Sequence, residues 1–184
     1  MKWLHFPGAH EEDRFERVYV KYYHTVYNYV YRILLHRQNT EDVVSETFLK
    51  AMRSFSRYDR KKGTVATWLC GIAHNCAMDS IRSAAVRTSL SLEELLESGK
   101  VPEDARNEWG EETVEWEAWE ILRHLRVQER ELLGLRYSWG LSNREIGLKL
   151  GVTEQAVVGH FHRLLAKCRE IAKNVSTEMW TGVD

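Results

Sequence analysis

At 184 residues, 43% hydrophobic and 29% charged, with a formal net charge of −1, the chain has the make-up of an ordinary soluble protein of one large domain or two small ones. No apolar run approaches the length of a membrane span, the first residues (MKWLHFPGAH) lack the continuous apolar stretch of a secretory signal, and three cysteines cannot all pair. The sequence therefore predicts free thiols in a reducing cytoplasm and no membrane insertion. Charge is unevenly placed: between Glu93 and Glu120, eleven acidic and two basic residues give −9, leaving +8 for the remainder. Two cationic modules flanking an acidic segment could engage nucleic acid at both ends of the chain; the alternative is a solvated acidic linker between neutral domains.

Phe15, Val18, Tyr19, Tyr22, Val26, Val30, Ile33 and Leu34 recur at helical spacing and predict a long amphipathic helix over 15–34. The stretch QNTEDVVSETFLKAMRSF predicts a second, with Asn39 as N-cap, Glu41 and Asp42 in the first turn, and a stripe of Val43, Val44, Thr47, Phe48, Ala51, Met52 and Phe55. A basic loop, SRYDRKKG, separates it from a third helix over about 64–83, in which Val65, Leu69, Ile72 and Cys76 fall near one line. Residues 84–112 lack a sustained period, contain Gly and Pro, and read as an acidic flexible linker with a short helical piece at LSLEELLES. Helical patterns resume as a Trp-bearing helix over 114–125, one around ERELLGLRY, a short one after Leu141, and a last from about Thr153 to Lys173. No strand alternation or internal repeat is present. The expected fold is all-α: two small helical domains, 1–83 and 113–184, joined by the linker.

The stretch LSNREIGLKLGVTEQAVVGHFHRLLAKC carries the most specific local signal. Ser142 with Glu145 three residues on is a capping box, Gly151 closes that short helix, and Thr153 caps the next. Two short helices joined by a tight turn, with Ile146, Leu150, Val157, Phe161 and Leu164 facing inward, match a helix-turn-helix whose second helix can enter a major groove. Its outward residues would include Glu154, Gln155, Val158, His160, His162, Arg163 and Lys167. A plain helical hairpin packing on itself is the alternative.

The order TEDVVSETFLKAMRSFSRYD, a basic loop, then WLCGIAHNCAMDSIR resembles the second conserved region of bacterial RNA polymerase sigma factors of the extracytoplasmic-function (ECF) type, within the sigma-70 family. LRYSWGLSNREIGLKLGVTEQAVVGHFHRLL resembles their fourth region. The resemblance implies a factor without catalytic activity, metal or cofactor, which directs core polymerase to promoters and helps open them. For the first domain it implies contact with the minus-10 element by Tyr58, Arg60, Lys61, Lys62, Thr64, Trp68, Asn75 and Arg82. Rings can stack on unpaired bases, cations can meet phosphates, and the Asn75 amide offers a donor and an acceptor to a base edge. Asn75 matches the Asn of the family pattern WLxRIAxN, which lies at the pocket for an extruded base. Helix residues Asp42, Ser45, Glu46, Leu49 and Arg53 would face the clamp coiled coil of the polymerase's largest subunit. Arg144, Thr153 and the outward residues of the last helix would face the duplex minus-35 element. An anti-sigma partner is a further family expectation, for which Trp116 and Trp119 could supply a surface, although Trp109, Trp116 and Trp119 also read as packing.

Departures from the pattern bear on specificity. Gly71 stands where family members commonly carry Arg, the basic run after the third helix shrinks to Arg82 and Arg87, and Val158 and Gly159 replace two polar positions of the recognition helix. An altered or relaxed minus-35 preference is expected, with Arg163 the clearest retained contact and His160, His162 or Val158 against thymine methyls as substitutes. Two other functions fit the residues less well. A stand-alone helix-turn-helix regulator would leave the basic loop and Asn75 without a purpose. A metal or redox centre at Cys70, His74 and Cys76 is opposed by geometry: Cys70 and His74 share one side of a helix, with Cys70 near the surface, but Cys76 points roughly 160° away from His74 into the core.

Overall fold

The computed structural model describes residues 9–88, 91–98 and 114–181, and among them every regular element is helical. In order these are α1 (Ala9–Leu34), α2 (Arg37–Ser54), a 3₁₀ turn (Phe55–Arg57), α3 (Val65–Thr88), α4 (Leu92–Ser98), α5 (Val114–Arg123), α6 (Val127–Leu133), a π-helical turn (Gly134–Ser138), α7 (Asn143–Leu150) and α8 (Glu154–Thr181). No described helix is long and apolar enough to cross a membrane. The all-α expectation holds. Most of the predicted linker, 99–112, lies outside the described residues, as does Trp109; of Trp116 only the backbone is described.

The first three helices pack on one another through the predicted stripes: Phe15, Val26, Val30 and Ile33 from α1, Val43, Val44, Phe48 and Ala51 from α2, and Leu69, Ala73, Cys76 and Ala77 from α3. The corner between α1 and α2 differs from expectation. Leu35 is fully buried with φ at 50°, and its N–H donates to Tyr31 O at 2.7 Å. α2 therefore starts at Arg37 with His36 as its N-cap, whose Nδ1 accepts from Asn39 N at 3.2 Å. Asn39 is inside the first turn rather than capping it, and Glu41 and Asp42 sit too far along to meet the positive end of the helix. The buried hydroxyls of Thr40 and Thr47 are satisfied by donating to the carbonyls of His36 (2.8 Å) and Val43 (2.7 Å).

α3 is covered on two sides, which is why a single apolar line in its sequence understates its burial. Cys76 lies on the α2 side beside Thr47 and Lys50. Cys70, expected near the surface, is fully buried on the other side, close to Glu131 and Lys149 of the C-terminal half, and burial pushes its thiol up to about 11. A thiol so protonated is an inert core residue.

The C-terminal half brings about that second burial by docking on α1 and α3. One continuous buried cluster runs from Phe15 to Leu164 through Tyr29, Leu125, Leu132, Leu135 and Trp139. The Tyr29 ring is fully buried, with its centroid 5.9 Å from that of Trp139 in an edge-on arrangement, and Tyr22 stacks on the same Trp139 at 6.3 Å. Gly134 is forced by this contact: a Cβ there would lie 2.7 Å from Tyr29 Cδ2. Around the rings, His74 Nδ1 lies 2.9 Å from Glu131 Oε1, in ion-pair range but not aligned as a hydrogen bond, and Arg32 donates to the Ser138 hydroxyl. Burial, reinforced by Glu131, raises the Tyr29 phenol well above its usual range. Trp119 of α5 packs on Leu35, so it serves as core, as expected of it.

Two glycine substitutions separate these environments by sign. Gly134→Ala drives a methyl into an immobile ring and should destabilise the chain by about 1–3 kcal/mol, lowering its melting temperature by roughly 2–4 °C per kcal/mol at this length. Gly71→Ala, where a Cβ meets nothing within 4 Å, should stabilise by up to about 1 kcal/mol through helix propensity. Thermal denaturation of both variants checks the pair.

Candidate nucleic-acid interface

Two surfaces of the fold carry the predicted contacts. The first surrounds the N-terminus of α3. Thr64 caps that helix, its Oγ1 accepting from Thr67 N at 3.1 Å, so its hydroxyl is committed to the backbone. The preceding loop is braced from within: the Tyr58 hydroxyl donates to Gly63 O at 2.8 Å, and Lys61 N donates to Asp59 Oδ1 at 2.9 Å. Arg60, Lys61 and Lys62 are left exposed. Tyr58 stacks on Phe55 with centroids 6.3 Å apart and meets Trp68 at 5.3 Å, so the two rings named from the sequence are neighbours. Together with Arg57, Asp59, Lys62, Gly63 and Thr67 they line a pocket of about 200 Å³. Sequence reasoning missed Arg57 and Thr67, although each adjoins a residue it named.

Trp68, Asn75 and Arg82 are spaced by seven residues, which on an α-helix returns to within about 20° of the same direction. They form one stripe leading away from the pocket. Asn75 and Arg82 are exposed and Trp68 half-buried. Gly71 lies between Trp68 and Asn75 and leaves the backbone uncovered there. Arg82 is held by Asp79 at 2.6 Å, an exposed pair whose energetic worth is small and which a phosphate can displace. His74, the neighbour of Asn75, turns the opposite way toward Glu131, which separates it from Cys76 as the helical geometry predicts.

The second surface belongs to α7 and α8. The capping box forms as expected: Ser142 Oγ accepts from Glu145 N at 3.3 Å, and Glu145 Oε2 accepts from Ser142 N at 2.8 Å. Gly151 ends α7 in the left-handed region (φ 69°), which a side chain would strain, and Thr153 Oγ1 accepts from Ala156 N at 3.1 Å to start α8. Ile146, Val157, Phe161 and Leu164 face inward as predicted. Leu150 does not: it is 41% exposed, with Leu148 at 76% beside it. Arg136, unremarked in the sequence, pins the connecting loop by donating to Leu141 O at 3.0 Å and to Asn143 Oδ1, with its guanidinium over the Phe161 ring.

The predicted outward residues of α8 do not all share one face. With Val157, Phe161 and Leu164 inward, the rotation of about 100° per residue places Gln155, Gly159, His162 and Arg163 outermost. His160 and Lys167 fall on a flank, where Lys167 Nζ pairs with Glu129 Oε2 at 2.6 Å. Val158 is half-buried, whereas Arg144, Thr153, Glu154, Gln155, His160, His162 and Arg163 are exposed. The guanidinium of Arg163 lies 3.6 Å from where a Gly159 side chain would begin, so the glycine gives that arginine room to lie along the helix.

On α2, Asp42, Ser45, Glu46, Leu49 and Arg53 are all exposed. Leu49 is 49% exposed amid charged neighbours, and Glu46 reaches Lys50 at 2.8 Å.

The first three helices and their loop correspond to a defined class: residues 18–87 match the family profile of Sigma-70 region 2. Over more of its length the chain is similar to the ECF RNA polymerase sigma factor BldN of Streptomyces coelicolor, 31% identical over 157 residues, which are 85% of this chain and 60% of BldN. It is 27% identical over 169 residues to the RNA polymerase sigma factor CarQ of Myxococcus xanthus (91% of this chain, 94% of CarQ). It is 29% identical over 168 residues to the sigma factor YlaC of Bacillus subtilis (89% of this chain, 93% of YlaC). The chain belongs to the ECF RNA polymerase sigma factors of the sigma-70 family, which are transcription initiation factors rather than enzymes.

The helix-turn-helix start is sensitive to acid in a defined direction. Hydrogen bonds from Ser142 hold the Glu145 carboxyl below its usual 4.5, so its stabilising effect is present above the unfolded-state value and is lost as pH falls through the folded one. Ser142→Ala should cost about 1 kcal/mol at neutral pH. The stability gap between the native chain and Glu145→Gln should narrow as pH drops below about 4, measured by urea denaturation across that range.

Proposed function

We propose that the chain binds core RNA polymerase, carries it to specific promoters and captures the unpaired minus-10 strand at the Tyr58–Trp68 pocket. The observation that carries this reading is the geometry of α3. A ring-walled pocket, a cationic loop and an exposed amide stand in line along α3 and the braced loop before it, which is what holding one extruded base requires. In this reading Tyr58 and Trp68, whose rings meet each other, together wall one side of the base, Asn75 reads its edge or that of its neighbour, and Arg60, Lys61, Lys62 and Arg82 meet phosphates. The exposed α2 face, with Leu49 as its apolar centre, docks on the clamp coiled coil. The halves 1–83 and 113–184 act as separate modules, and Gln155, His162 and Arg163 of α8, with Arg144 and Thr153, meet the minus-35 duplex.

The modules cannot act together in the docked arrangement. Minus-10 and minus-35 elements lie roughly 25 base pairs apart, about 85 Å at 3.4 Å per step, whereas a compact chain of this length is roughly 40 Å across. Promoter engagement therefore separates the halves and uncovers the Tyr29 and Trp139 rings.

Permanganate footprinting of holoenzyme on a promoter it uses tests the minus-10 assignment. Asn75→Ala and Trp68→Ala should each reduce strand opening at least about tenfold, which is the loss of 1.4 kcal/mol or more, while co-purification with core polymerase is unchanged. Equal loss of opening and polymerase binding would make both residues merely structural, and failure of the native chain to bind core polymerase would overturn the whole reading.

A further inference from the structure

A glycine inside a helix is less stable there than an alanine, so each one calls for a reason in the fold. Positive φ supplies it at Gly63, Gly140 and Gly151. A close neighbour supplies it at Gly134 and Gly147, where a Cβ would lie 2.7 Å from Tyr29 Cδ2 and 2.8 Å from the Val152 carbonyl oxygen. At Gly159 a Cβ would rest in ordinary contact on Arg163, at 3.6 Å. Gly71 is different. It lies well inside α3 without a positive φ, and among the described residues nothing comes within 4 Å of where its Cβ would stand. No contact within the fold offsets its cost to the helix.

The neighbours of Gly71 on the helix surface are the residues proposed to hold an unpaired base. Thr67 and Trp68, which line the pocket of about 200 Å³, are four and three residues before it, and Asn75 is four residues after it. Residues so spaced are adjacent on a helix surface, with Cβ atoms about 5–6 Å apart. Residue 71 is therefore the ground between the ring wall and the amide. At a rise of about 1.5 Å per residue, Trp68 and Asn75 stand roughly 10 Å apart along the axis. A base that leans on the rings and presents its edge to Asn75 must pass over residue 71, and bare backbone lets a flat ring lie directly on the helix.

We infer that Gly71 is a further DNA-contacting position, where the captured base lies in van der Waals contact with the backbone of α3. The inference rests on the proposed minus-10 reading and deepens it. Tyr58 and Trp68 wall one side of the base, Gly71 sets its height over the helix, and that height brings its edge to Asn75. A hydrogen bond of about 2.9 Å is lost by about 3.6 Å, and a methyl group on residue 71 lifts the base by more than that difference. Stability and promoter opening therefore pull in opposite directions at this residue: a side chain strengthens the helix and displaces the base.

The experiment measures fluorescence anisotropy of a labelled single-stranded 12-mer, taken from the non-template strand of a promoter the holoenzyme uses, binding to holoenzyme. Gly71→Ala should melt higher than the native chain yet bind the strand about fivefold more weakly, the change that goes with one lost hydrogen bond. Gly71→Leu, bulkier but also a good helix former, should bind more weakly still. In the Asn75→Ala background Gly71→Ala should cost little more, because the bond it breaks is already gone; losses from two changes that act through one contact do not add. Co-purification with core polymerase should be the same for every variant. If both Gly71 variants bind as the native chain does while Trp68→Ala weakens binding, the contact at Gly71 is wrong and the minus-10 reading stands. If Trp68→Ala also leaves strand binding unchanged, both are wrong. A lower melting temperature for Gly71→Ala would make the glycine a structural requirement, and full additivity with Asn75→Ala would show that residue 71 does not set the reach of that amide; either result overturns the inference.

Discussion

The contact of the Tyr29 ring with Trp139 and the bare backbone of Gly134 is the constraint on which the arrangement of the molecule depends. Tyr29 comes from the third quarter of α1, Gly134 from the π-helical turn that leads to the helix-turn-helix and Trp139 from the residue after it, so one fully buried ring ties the N-terminal and C-terminal halves together. The ring packs as closely as a protein interior allows only because residue 134 has no side chain. Polar groups surround it: Glu131 beside His74, and Arg32 bonded to Ser138. These orient the approach, whereas the apolar contacts supply most of the attraction.

From that contact the roles of α3 follow. One side of the helix packs on α2 through Cys76, and another faces the C-terminal half through Cys70. A third side carries the half-buried Trp68 and the exposed Asn75 and Arg82, the side proposed to meet unpaired DNA. A helix fixed on two sides holds its third side with little freedom, and a base-capturing site needs that rigidity, because each loosely held side chain adds an entropy cost to binding. The cationic loop before it is braced by Tyr58 and Asp59, so its arginine and lysines project from a defined turn rather than a mobile segment.

Much of this was legible in the sequence where a local rule decides the structure. The capping box at Ser142, the turn at Gly151, the cap at Thr153 and the helical stripe of α1 each depend on residues within a few positions of one another, and each is found, except that Tyr19 of the stripe is 43% exposed. The neighbouring of Tyr58 and Trp68 across the loop follows from the same short range. Features set by distant partners were not legible. Cys70 reads as a surface residue until residues some sixty positions further on cover it, and Tyr29 is absent from the predicted stripe because its partner is Trp139. Lys167 reads as an outward cation but pairs with Glu129 across the fold. The N-cap of α2 was missed because the chain takes a left-handed step at Leu35, a conformation that sequence rules assign to Gly or Asn rather than to a buried Leu.

From the two-sided burial of α3 and the spacing of promoter elements we propose that the free chain is closed through Tyr29 and Trp139 and that the same chain works open. Donor and acceptor labels at the exposed positions Arg87 of α3 and Glu154 of α8, read by single-molecule energy transfer, measure this directly. One short separation is expected in the free chain, replaced by a long one when core polymerase and promoter DNA are added. A free chain that already shows the long separation would contradict the docking of the halves, and an unchanged short separation on the promoter complex would contradict their opening.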